Sequence, residues 1–271
     1  MGSGLKLRMS RLFNADTGNA VIIAVDHGIE GAPEGLEDPV EKVKTLVELG
    51  VDALLINPGL FQRVCGFWQH KGDPGVILAS DYFIRATVPG RKIEDEEYRR
   101  ILQAEDAIRL GGDVIKMILV FGQRDLGLYA YNLEMVVSGI QRAHRLGLPV
   151  MVETVLWGIT STGKELTSVN VLRDMMRIAI ELGADILKVP ILGTEEEMMK
   201  TVALSPVPVM VLGGKTRPDF GDVVKDVEKA LKTGARGIVF GRNVWQRGDL
   251  KTAVNTLQSA VHGSNYKGRK F

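Results

Sequence analysis

A single cysteine, Cys65, stands in the 271 residues, and one thiol cannot build an internal disulfide framework. The chain is therefore expected to be intracellular and cytoplasmic, with Cys65 as a small buried or half-buried apolar residue. Charge of one sign is lacking too. The 34 lysines and arginines against 33 aspartates and glutamates leave +1, which offers no footing for nucleic acid or an anionic membrane surface. No apolar run approaches the roughly 20 residues needed to span a bilayer. The first ten residues carry basic side chains but no apolar stretch, so no secretory signal is expected. His27, His70, His144 and His262 are scattered, with neither an H-E-x-x-H pattern nor a Cys/His cluster, so no metal or other cofactor is expected. A G-x-G-x-x-G fingerprint is missing after the first apolar run, which ends Asp26-His27-Gly28, and this removes the dinucleotide-binding open sheet.

What the chain does contain is repetition. Short aliphatic runs occur at Val21–Asp26, Ala53–Asn57, Gly75–Ser80, Val114–Phe121, Val150–Val155, Asp185–Val189, Val209–Leu212 and Gly237–Phe240. They are continuous rather than alternating, as strands buried on both faces by helices should be. Helical patterns are expected at Pro39–Leu49, Asp95–Leu110, Asn132–Leu146, Ser168–Leu182, Asp219–Thr233 and Leu250–His262. The phrases "VELGVDALLI", "IRLGGDVIKM", "IELGADILKV" and "LKTGARGIVF" repeat one grammar of helix, glycine and apolar strand. No composition shift marks a second domain. Residues 1–271 are expected to form one (β/α)8 TIM barrel, with 1–18 an N-terminal extension.

In such a barrel the active site lies at the C-terminal ends of the strands. Four charged residues interrupt the apolar runs there: Asp26, Lys116, Glu153 and Lys188. A lysine in a strand buried on both faces must find partners or lose its charge, and full burial can lower its pKa by as much as about 3–5 units. A neutral amine attacks a carbonyl to form a Schiff base, whose iminium acts as an electron sink for C–C cleavage. A structural ion pair of Lys188 with Asp26 or Glu153 is the competing reading. Asp26 and Glu153 are the candidates for proton transfer. His27, by strand alternation, points away from Asp26 and packs behind it.

Glycines mark the other half of the site. The seventh run ends Gly213-Gly214-Lys215 and the eighth Gly241-Arg242-Asn243, the two loops that form a phosphate cradle in many barrels. Lys215 and Arg242 can add charge to backbone N–H groups that glycine leaves open.

Taken together, "VIIAVDHG", "ELGADILKVP", "VMVLGGK" and "GIVFGRNVWQR" resemble the archaeal-type class I fructose-bisphosphate aldolases. That family is similar to the aminodideoxyheptulosonate synthases and autoinducer-2 phosphate thiolases, and more remotely to deoxyribose-phosphate and tagatose-bisphosphate aldolases. The resemblance runs from about Asn19 to about His262. It implies Lys188 as the Schiff-base lysine, Asp26 as the first-strand acid/base residue, and Gly213, Gly214, Gly241 and Arg242 around a substrate phosphate. It also implies a ring-forming homo-oligomer, a decamer of two pentamers. One departure stands out. Where the aldolase and synthase branches carry a fifth-strand tyrosine in a "YPRG"-like segment, this chain reads Val155-Leu156-Trp157-Gly158. Glu153, two residues earlier on the same face, is the ionisable group left to replace that tyrosine.

The expected activity is a class I aldolase, a lyase acting on a phosphorylated sugar. A related Schiff-base thiolase or transferase, a non-catalytic sugar-phosphate-binding barrel, and an isomerase or decarboxylase that uses Lys188 as an electrostatic clamp are the alternatives.

Overall fold

The computed structural model describes residues 2–89, 91, 95–264 and 266. Its strands are β1 (Ala20–Ala24), β2 (Ala53–Ile56), β3 (Gly75–Ala79), β4 (Asp81–Ile84), β5 (Glu97–Arg100), β6 (Val114–Val120), β7 (Val150–Val155), β8 (Ile186–Val189), β9 (Val209–Leu212) and β10 (Gly237–Phe240). Eight of them close in the order β1-β10-β9-β8-β7-β6-β3-β2, every pairing parallel, and helices fill the connections. This is a (β/α)8 barrel. The seam pairs Ala20 with Gly237 and Ile23 with Phe240. No described helix is long and apolar enough to cross a membrane.

Side chains alternate along each strand, so the residues facing the helices and those facing the barrel axis sort into separate clusters. Val21, Ile23, Leu54, Ile115, Val152, Leu187 and Val211 pack outward against helices. Inside, three layers stack along the axis. Ile22, Leu55, Ile77, Val114, Met151, Ile186 and Met210 form an apolar floor together with Leu12 from the N-terminal segment. Phe83, Tyr98, Ile118, Val120 and Val155 form an apolar cluster toward the opposite end. Along β6 the inward sequence is Val114, Lys116, Ile118 and Val120, and along β7 Met151, Glu153 and Val155. The charged positions therefore sit between the two apolar layers.

The recurring Gly-x-Asp grammar has a structural purpose at the floor. Each aspartate accepts a hydrogen bond from an N–H in the first two residues of a neighbouring strand: Val21 to Asp52 Oδ2 at 2.7 Å, Val76 to Asp113 Oδ2 at 2.9 Å and Val150 to Asp185 Oδ2 at 2.8 Å. The carboxylate gives that buried N–H its partner at the end of the strand. His262 and His144 lie 2.8 Å from Asp52 and Asp185, and Arg11 lies 3.3 Å from Asp113. The fourth repeat carries Arg236 in place of the aspartate, and its own backbone N–H donates to the Val209 carbonyl at 2.8 Å.

Three expectations need correction. The helix expected over Asp95–Leu110 is confined to Ala104–Arg109; Glu97–Arg100 instead forms β5, antiparallel to β4, with Tyr98 fully buried. Local composition favours a helix there, but β3 leads directly into β4, and pairing against it overrides propensity. Cys65 is exposed, in the short turn Cys65–Phe67, its thiol donating to the Gln62 carbonyl at 3.5 Å. His27 does not point away from Asp26. β1 ends at Ala24 and Asp26–Glu30 is a 3-10 turn, so strand alternation stops applying, and His27 Nδ1 lies 3.4 Å from Asp26 Oδ1.

Candidate active site

The four charged residues singled out in the sequence converge in the middle layer. Lys188 Nζ lies 2.9 Å from Glu153 Oε2, and Lys116 Nζ lies 3.5 Å from that same oxygen and 3.4 Å from Asp26 Oδ2. Parallel pairing explains the meeting of Glu153 and Lys188. They are register partners on β7 and β8, so their side chains leave the sheet together on the inner face. Lys116 stands one level lower on β6, beside Met151, and reaches up. Lys116, Glu153 and Lys188 are 3%, 4% and 5% exposed, which makes mutual neutralisation necessary.

The electrostatics follow from who touches whom. Burial alone would favour the neutral amine of Lys116, but Asp26, Glu153 and Asp81 outweigh it and hold the ammonium above the ordinary lysine range. Burial pushes the Asp26 carboxyl up, yet Lys116, the His27 side chain and Lys188 hold it well below the usual carboxylate range. Asp26 is further fixed at its backbone, where Asn57 Nδ2 donates to its carbonyl at 2.6 Å. His27 packs edge-on to Trp245 with ring centroids 5.5 Å apart, so the turn carrying Asp26 rests on the last βα loop.

The two glycine loops are tied together. Asn243 stitches them: its Nδ2 donates to the carbonyls of Gly213 at 2.8 Å and Lys215 at 3.1 Å, and its Oδ1 accepts from the Arg217 N–H at 2.8 Å. Arg242 Nη2 donates to the Gly214 carbonyl at 2.9 Å, while Lys215 extends into solvent. Gly241 is required by close approach. A Cβ there would come within 2.8 Å of the Ala24 carbonyl and 2.9 Å of His27 Cε1. The glycine loop thus abuts the turn that holds Asp26.

Residues 20–247 match the sequence profile of the DeoC/LacD family aldolases. The chain belongs to that family. It is thereby an enzyme of the lyase class. The enzyme is 30% identical to an uncharacterised aldolase of Saccharolobus solfataricus over 96% of this chain and 94% of the relative. It is 29% identical to the 2-amino-3,7-dideoxy-D-threo-hept-6-ulosonate synthase of Halobacterium salinarum, over 96% of this chain and 92% of that one. Among solved structures, an archaeal fructose-1,6-bisphosphate aldolase with its catalytic lysine covalently bound to the carbinolamine intermediate superposes with a TM-score of 0.81. That structure is 26% identical, with 96% of this chain and 100% of that one covered.

Three contributors to the site escape a reading of the strands alone. Asn243 and Asn57 lie just beyond strand ends and act by tying loops. Asp81 lies immediately after β3 and Ser80, 3% exposed, with its Oδ2 accepting from the Ile118 N–H at 2.7 Å and the Tyr98 hydroxyl at 2.5 Å. A polar residue closing an apolar run marks Asp26 in the sequence, and "VILASD" carries the same mark. The mouth is shaped by the Arg85–Glu97 and Trp157–Ser168 connections, of which residues 90 and 92–94 lie outside the described residues. Arg85 stacks over Trp157, 5.4 Å from the ring centroid, and Glu96 accepts from the N–H groups of Ile159 and Arg124 at 2.5 and 3.2 Å.

Proposed function

We propose that this enzyme is a class I aldolase that cleaves or forms a C–C bond in a phosphorylated ketose or related sugar phosphate, through an iminium on Lys188. One observation carries the reading: a lysine and a carboxylate in direct contact, 2.9 Å apart, between two apolar layers of the barrel. Glu153 takes a proton from Nζ, and the neutral amine adds to the ketone carbon. The carbinolamine then loses its hydroxyl as water, with a proton returned by the same carboxylic acid. In sum, an ammonium and a ketone give an iminium and water. The iminium draws in the electrons of the neighbouring C–C bond while a base removes the hydroxyl proton of the departing carbon, which leaves as an aldehyde. Asp26, held so firmly as an anion, is better suited to orienting a substrate hydroxyl than to retaining its proton. Lys116 keeps both carboxylates neutralised.

The substrate phosphate is assigned to the loops of Gly213, Gly214, Lys215, Gly241 and Arg242, whose backbone donors and two cations suit an anion. The solved relative with a lysine-bound carbinolamine and the two curated relatives support the reading. The homo-oligomer belongs to the same proposal, and native mass spectrometry measures it. The decisive experiment is borohydride reduction in the presence of dihydroxyacetone phosphate or fructose 1,6-bisphosphate, followed by peptide mass mapping. An adduct on Lys188 is the expected result. Its absence with a panel of keto-phosphates, or its persistence in Lys188→Ala, would overturn the reading.

Val155 favours one second reading. It packs with Ile118, Val120, Phe83 and Tyr98 and offers no proton donor, so the fragment released after cleavage could be passed to another acceptor, as a Schiff-base thiolase or transferase requires.

A further inference from the structure

The middle layer holds one more carboxyl than its cations require. Asp26 and Glu153 match Lys116 and Lys188 one for one. Asp81 is the third; it makes no direct ion pair among the described residues, and Lys116 acts on it from beyond contact distance. Its placement follows from the path of the chain. β3 pairs with β6 only as far as Ala79 and Lys116, then turns away into β4, leaving the upper half of β6 without a strand on that side. Side chains replace the missing ladder: Asp81 accepts from the Ile118 N–H, and Asn132 Oδ1 accepts from the Val120 N–H at 2.9 Å. Ile118 is the register partner of Glu153, so the Asp81 carboxyl is pinned at the height of the Glu153–Lys188 contact.

Only one of its oxygens is used for this. Asp81 Oδ2 takes both hydrogen bonds, from Ile118 and from Tyr98, while Oδ1 is buried with no hydrogen-bond partner among the described residues. An orphaned buried carboxylate oxygen makes the anion costly to hold. The groups that face Asp81 are Tyr98 and Arg100 from β5, Lys116 from β6 and Glu153 from β7. Arg100 directs its guanidinium to the Met135 carbonyl instead. Glu153 Oε2, meanwhile, is contacted by both ammonium groups.

We propose that Asp81 is a positioning residue for proton transfer between Lys188 and Glu153: as an anion, clamped by Tyr98, it draws on Lys116 and relieves Glu153 Oε2 of one of its two ammonium partners, and as an acid it does not. The proton that moves goes from Lys188 Nζ to Glu153 Oε2, and Asp81 exchanges none with substrate. This rests on the iminium reading above and adds to it the group that sets the acid limb of adduct formation. Burial raises the Asp81 carboxyl to about 6, against the pull of Lys116, Tyr98 and the Ile118 N–H, and Glu153 adds to the rise. The sign is therefore fixed: amine attack is slow below that range, where Asp81 is neutral, and speeds up as pH rises through it.

The test is the rate of adduct formation with dihydroxyacetone phosphate, quenched with borohydride and read by intact mass from about pH 5 to about pH 8. Wild-type enzyme should show a rise with a midpoint near 6. Asp81→Asn keeps an oxygen for both donors but cannot ionise. It should lose that rise and stay about tenfold below the wild-type plateau. Tyr98→Phe removes a hydrogen bond that stabilises the anion, so its midpoint should move up by about one pH unit with the plateau retained. A merely structural role would lower the rate at every pH without moving the midpoint. Adduct formation in all three proteins with one common midpoint would overturn this proposal and leave the Schiff-base reading standing. No adduct in wild-type enzyme at any pH would overturn both.

Discussion

At the floor of the barrel Asp52, Asp113 and Asp185 are as deeply buried as Glu153 and Asp81 are higher up, yet each accepts a backbone N–H from the neighbouring strand and also meets His262, Arg11 or His144. In the middle layer the carboxylates of Asp26 and Glu153 face ammonium groups, and Lys188 and Lys116 share a single oxygen of Glu153. The same side-chain chemistry is static where its partners are amides fixed in the sheet. It is exchangeable where its partners are protons on flexible amines. The comparison teaches that burial of a charge says little about its role until the partners are named.

Substitutions can break that contrast. Lys188→Ala should reduce turnover by at least about 10⁴-fold and abolish adduct trapping. Its circular dichroism and melting should stay near wild type, because Glu153 keeps Lys116 as a partner. Substantial residual turnover would remove the nucleophile from the proposed mechanism. Glu153→Gln preserves shape but cannot carry the proton, so kcat should fall by about 10²-fold while trapping survives on long incubation; near-normal turnover would show that another group moves the proton. At the floor the readout should reverse. Asp52→Ala leaves the Val21 N–H and His262 without their carboxylate. It should cost about 3 kcal/mol, lowering Tm by about 5–10 °C, with kcat of the folded enzyme unchanged. A loss of kcat without a loss of Tm would mean that the two ends are not separable. The smallest effect belongs to the phosphate loops. Arg242→Ala should raise KM for the phosphorylated substrate by about tenfold and change kcat less, since a remote phosphate is held equally in ground and transition states. Equal activity toward the dephosphorylated sugar would remove the assignment.

Much of this is legible in the sequence. A charge inside a continuous apolar run is expensive enough to stand out, which is why Lys116, Glu153 and Lys188 could be named together, and the glycine loops announced themselves by position after the last two runs. The hairpin did not. Glu97-Tyr98-Arg99-Arg100 carries the composition of an exposed helix, and only its pairing with Asp81–Ile84 turns it into a strand that buries Tyr98 beneath it. Asp81 gains its meaning from that partner 17 residues away and from an N–H on β6 that β3 fails to reach. Such information lies in the path of the chain, not in any window of it. His27 shows the same limit on a smaller scale, because alternation predicts its direction only if the strand continues, and here β1 stops at Ala24.

The aspartate latches of the floor also bear on how the chain closes. They join residues 31, 37 and 35 apart, linking β1 with β2, β3 with β6 and β7 with β8, whereas the β1–β10 seam joins Ala20 to Gly237. Loop-closure entropy grows as the logarithm of length, so the seam costs about 1.6 kcal/mol more to draw together than any latched pair. Three short loops can each fix the register of two strands before the long one is drawn shut, and the pair β9–β10, with Arg236 where the aspartate would be, enters without that aid. Pulse-labelled amide exchange during refolding should find the N–H groups of Val21, Val76 and Val150 protected before those along the seam; simultaneous protection would mean that the ring closes in one step.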